Sequence, residues 1–123
     1  MKNDVELKKD VQYARFLESI NSLHDKALKA RGKAQMYKVL DDTKALFNGF
    51  LDSEVDAMPF NVKWWVLYYR RDGLNFYRTG LKENYEGPNR WKPGVPTKKI
   101  DNLFGLADDL SRLARELKKI IEE

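Results

Sequence analysis

The sequence predicts an α+β domain that is mainly helical. Its core is a three-helix bundle-like arrangement of two antiparallel N-terminal helices and a long C-terminal helix, completed by an aromatic β-hairpin and a long basic loop. Three observations carry this expectation. Apolar residues recur at steps of three and four in both terminal parts of the chain. The run Trp64 to Tyr69 is uniformly apolar, rich in rings, and followed by Asp72-Gly73, a two-residue turn signal. Residues 80–97 are broken by glycine and proline and show no period. The 123 residues are read as a single domain comprising a helical hairpin (1–58), the β-hairpin (59–79), the loop (80–97) and the C-terminal helix (98–123).

Asn3 and Glu6 have the spacing of a capping box, and Tyr13, Phe16, Ile20, Leu23, Ala27 and Ala30 form one apolar stripe behind it. Arg31-Gly32 supplies the stop. A second helix is expected from about Ala34 to Leu51 on Met36, Val39, Thr43, Leu46 and Phe50, with Gly49 a reason for it to end early. Ser53 is positioned to cap a further turn, Glu54 to Met58, which Pro59 interrupts. In the last segment Leu103, Leu106, Leu110, Leu113, Leu117 and Ile120 step regularly. Phe104, Ala107, Ala114 and Ile121 widen that stripe into a bundle face, which favours a monomer over a coiled-coil dimer.

The middle segment decides the class. With Asp72 and Gly73 as the turn, one strand face carries Trp65, Leu67, Tyr69, Leu74 and Phe76 and is expected to be core. The other carries Val62, Trp64, Val66, Tyr68 and Tyr77. The competing assignment is a third bundle helix from Asn61 to Arg71. A sheet of two strands with rings on both faces is marginal in water, so Trp64, Tyr68 and Tyr77 are expected to face a partner.

Charge coincides with these rings. Residues 60–97 carry seven cations against three acids, a surplus equal to the net +4 of the whole chain, together with nine of the fifteen aromatic residues. The candidate binding set is Trp64, Tyr68, Arg70, Arg71, Tyr77, Arg78, Arg90, Trp91 and Lys92, the last three from the loop. Cations release counterions from phosphates and exposed rings stack on unpaired bases, so nucleic acid is the leading expectation. The same residue types dominate protein interfaces, which makes an inhibitor, adaptor or immunity-type protein the alternative. Neither an RNP motif nor a GXXG loop is present, and the basic junction KARGKAQM follows too long a helix to resemble a helix-turn-helix.

Catalytic chemistry finds little material. Cysteine is absent, which removes thiolates and zinc-thiolate sites. His24 is the sole histidine and is placed at the edge of the first helix stripe. The acids at 52–56 lack the glycine and distant glutamate of a calcium loop, and Asp108 and Asp109 have Arg112 and Arg115 within reach for local ion pairs. A non-enzymatic role is expected, with a small enzyme as the second alternative, and no cofactor or metal is expected. The charged N-terminus and the shortness of every apolar run point to a cytoplasmic protein with no membrane contact.

Overall fold

The computed structural model describes residues 4–86 and 100–122, and the side chains among them from Val11 onward. Every regular element among the described residues is a helix: α1 (Asp4–Lys29), α2 (Gly32–Asn48), α3 (Asp52–Asp56), α4 (Phe60–Arg71), α5 (Asn75–Tyr85) and α6 (Phe104–Glu122). The expected α+β class is thereby corrected to a helical one. In place of the β-hairpin stand α4 and α5, and the competing assignment, a helix from Asn61 to Arg71, matches α4 within one residue. Part of the expected loop, up to Tyr85, is also helix; Asn3 and residues 87–97 lie outside the described residues.

The physical reason lies in which apolar residues of the middle segment are covered. Val62, Val66 and Tyr69 are buried on α4, at steps of four and three, where a strand would bury every second residue. Asp72-Gly73 serves as a helix stop. The N–H groups of Asp72 and Gly73 both donate to the carbonyl of Tyr68, at 3.1 and 2.9 Å, a closure characteristic of helix C-termini. Glycine is required there by close approach, since a β-carbon on Gly73 would stand 2.8 Å from ring atoms of both Tyr68 and Tyr69.

The other junctions follow their sequence signals more closely. Gly32 has φ +80°, a left-handed backbone that glycine adopts without steric cost, and α1 stops just before it. The Arg31 guanidinium closes α1 by donating to the carbonyls of Leu28 and Ala30 at 3.0 and 2.7 Å, and it lies 5.1 Å from the ring centre of Phe104. α2 ends at Asn48, three residues before Leu51. Ser53 does not cap α3. Instead the Glu54 carboxylate reaches back to accept the N–H of Leu51 at 2.7 Å, and its other oxygen accepts from Gln12 of α1.

α6 packs most extensively against α1, and its stripe Leu106, Leu110, Leu113 and Leu117 is fully buried together with Leu103 just before it. α4 runs antiparallel to α6, because Asn61 bonds Glu116 at 3.1 Å while Tyr69 bonds Asp109 at 2.5 Å. α5 runs antiparallel to α2, tied by Arg78 to Asp41 at 2.9 Å and by Lys33 to Glu86 at 2.9 Å. Between these layers rings meet in series. Phe16 meets Phe47 edge-on at 5.9 Å, Phe47 stacks on Tyr69 at 5.2 Å, and Tyr69 stacks on Trp65 at 6.1 Å.

Candidate functional site

α4 carries two apolar faces. Burying Val62, Val66 and Tyr69 against α2 and α6 turns the positions between them outward, so Phe60, Trp64, Leu67 and Tyr68 form a second stripe at helical spacing. These four remain accessible, with Phe60 75 %, Trp64 49 % and Tyr68 40 % exposed. Trp64 and Tyr68 stack at 5.1 Å with their planes 13° apart, and Trp65 meets Trp64 edge-on at 4.9 Å. Phe60, Asn61, Trp64, Trp65 and Glu116 line an open pocket of about 390 Å³ where the start of α4 meets α6.

The structure separates the candidate residues. Trp64, Tyr68 and Arg71 share the outer face of α4. Tyr77 does not join them. It is 9 % exposed on the inner side of α5, with its hydroxyl against Gly105 of α6. The division into strand faces is corrected accordingly: Val62 and Val66 are core, whereas Leu67 and Phe76 are largely exposed. Arg90, Trp91 and Lys92 lie outside the described residues.

Most cations near the stripe are already engaged. Arg70 is held inward: its Nε donates to the Phe47 carbonyl at 2.7 Å, a second nitrogen donates to the Phe50 carbonyl, and a third pairs with Asp52 at 3.1 Å. It caps α2 from a distance in sequence, satisfying carbonyls that the helix end leaves open. Arg78 pairs with Asp41, and Lys63 lies 3.9 Å from Asp56. Among the described residues Arg71 and Lys82 are in no ion pair.

Behind the stripe lies a partly buried polar pair that sequence reasoning missed. Asp109 falls on the α6 flank facing α4 and accepts the Tyr69 hydroxyl, where only local pairing with arginines was expected. Burial, and then that bond to the carboxylate, hold the Tyr69 hydroxyl far above the ordinary tyrosine range. Tyr77 is shifted the same way, by burial first and then by the Asp109 charge. Asp108 does form the expected local pair, with Arg112 at 3.1 Å. The one signal for the Tyr69–Asp109 pair was the position of Asp109 beside the Leu106–Leu110–Leu113 stripe.

Other groups have structural partners. His24 is partly covered and lies 3.3 Å from Asp25. Asp52, Glu54 and Asp56 are engaged with Arg70, the α3 start and Lys63 respectively, and no cluster of metal-ligating side chains occurs among the described residues. No helix among them is long and apolar enough to cross a membrane. Compared with protein-family models, with curated proteins and with solved structures, the chain matches none.

Proposed function

We propose that this protein is a binding module that docks another protein on the outer face of α4. The observation that carries the reading is the second apolar stripe. Leaving a large apolar side chain in water forgoes about 1.5–3 kcal/mol of burial, so four at helical spacing mark a surface that a partner covers. Tryptophan, tyrosine and arginine are the residues from which interface hot spots are built, and Trp64, Tyr68 and Arg71 supply all three on one face. A partner helix laying an apolar ridge along α4 suits that geometry. Nucleic acid would require free cations beside the rings. With Arg70 and Arg78 engaged, Arg71 is the single candidate cation left without an ion pair on the described ring face, too little to follow a phosphate backbone, and we take the partner to be a protein.

The test is capture from a host extract on immobilised protein, with and without nuclease, against the double variant Trp64→Ser/Tyr68→Ser. A protein retained by the native chain, insensitive to nuclease and lost with the variant, supports the reading. Retention that disappears on nuclease treatment assigns the face to nucleic acid. Capture equal on both chains rules the face out.

A further inference from the structure

The stripe contains one place where its chemistry changes from apolar to acidic. Tyr68 stacks on one face of the Trp64 indole from the turn that follows it. No second ring is stacked on Trp64 among the described residues, and Phe60, one turn earlier, lines the same pocket as the indole. Between them opens the pocket of about 390 Å³, walled by Trp65 at a right angle to Trp64 and closed on the α6 side by Glu116.

Glu116 is the group that decides the occupant. Its Oε2 accepts from the Asn61 amide at 3.1 Å, and its Oε1 lies 3.4 Å from the Lys119 ammonium. A carboxylate offers about four acceptor positions, so both oxygens keep one open. The Lys119 contact is a long pair on the same helix from a side chain that is 70 % exposed, and holds Glu116 only weakly. Covering the pocket with an apolar side chain would take Glu116 further out of water with only the neutral Asn61 amide and the long Lys119 contact to offset its charge, and an anion would be repelled. A cation is favoured twice, by the negative face of the indole and by the carboxylate. A guanidinium matches both, being flat enough to stack on Trp64 and forked to bond a carboxylate with two donors.

We propose that the pocket of Phe60, Trp64, Trp65 and Glu116 receives a basic side chain of the docked partner, an arginine. This rests on the docking reading above, and assigns to it the charge the partner brings. The partner's docking element therefore carries an arginine one helical turn from the apolar residues that cover Leu67 and Tyr68.

The experiment titrates ¹⁵N-labelled protein with four probes at low salt, reading the indole N–H signals of Trp64 and Trp65: N-acetyl-arginine amide, N-acetyl-lysine amide, N-acetyl-norleucine amide and tetramethylammonium. The arginine derivative is expected to shift both signals and saturate in the millimolar range, about tenfold more tightly than the uncharged norleucine derivative, and Glu116→Gln removes that advantage. The lysine derivative, norleucine or tetramethylammonium binding as tightly as the arginine derivative overturns the proposal, as does absence of any shift at about 100 mM arginine derivative.

Glu116→Gln is then carried through the capture experiment. If Trp64→Ser/Tyr68→Ser abolishes capture while Glu116→Gln leaves it unchanged, docking stands and the arginine pocket falls. If the pocket binds the arginine derivative but the α4 face captures no protein, the occupant is a free guanidinium compound and the partner's side chain is overturned.

Discussion

Trp64 and Tyr68 lie one helical turn apart on α4 with their rings 5.1 Å apart and nearly parallel, yet both are close to half exposed. The pair is thus pre-arranged before any partner arrives. Two rigid side chains that already hold their rotamers lose little freedom on binding.

The pair should be coupled in the free protein. A double-mutant cycle of Trp64→Ala and Tyr68→Ala is expected to give an interaction of about 0.5–1.5 kcal/mol, measured by urea unfolding. Coupling indistinguishable from zero would mean the rings do not hold this arrangement in solution.

Two adjacent arginines should behave very differently. Arg70→Ala removes the donors that close α2 and is expected to cost about 2–3 kcal/mol, because the Phe47 and Phe50 carbonyls lose their partner, whereas the exposed Asp52 adds little. Arg70→Lys should restore less than half, since an ammonium cannot span all three acceptors. Arg71→Ala is expected to stay within about 0.5 kcal/mol of the native chain. Equal losses at the two positions would contradict the inward placement of Arg70.

Alkali should unfold the protein through its buried phenols. The folded state holds the Tyr69 hydroxyl protonated above its ordinary value of 10.0, so the associated stability is complete below about pH 10 and declines as pH rises beyond it. Tyr69→Phe should lower the slope of stability against pH above 10 by about 1.4 kcal/mol per pH unit, leaving the part due to Tyr77. Urea unfolding at several alkaline pH values measures both slopes; identical slopes would remove Tyr69 from the account.

Gly73→Ala tests the stop between α4 and α5. Ordinarily alanine is neutral or stabilising at a helix end, but here its methyl would press on Tyr69, which is already sandwiched between Phe47 and Trp65. A loss of about 1–3 kcal/mol is expected from overpacking. A gain in thermal stability would show that the rings yield.

For α1, α2 and α6 the local pattern was sufficient. Each of these helices sets an apolar stripe against a polar back, so a period near 3.6 can be read directly from Phe16–Ile20–Leu23–Ala27 or Leu106–Leu110–Leu113–Leu117. Gly32 marked the first junction for a similarly local reason, the left-handed backbone that glycine takes freely.

The stretch from Phe60 to Tyr85 was decided only by tertiary structure. α4 is apolar on a buried face and again on an exposed face, so the contrast that identifies an amphipathic helix is missing and Trp64 to Tyr69 resembles a buried strand. Packing of α2 and α6 on Val62, Val66 and Tyr69 selects the helix. The roles of Arg70 and Arg78 likewise depend on Asp52 and Asp41, 18 and 37 residues away in the chain. Local sequence specifies an apolar or charged side chain, whereas its exposure and its partner are set by which distant surfaces the fold brings against it.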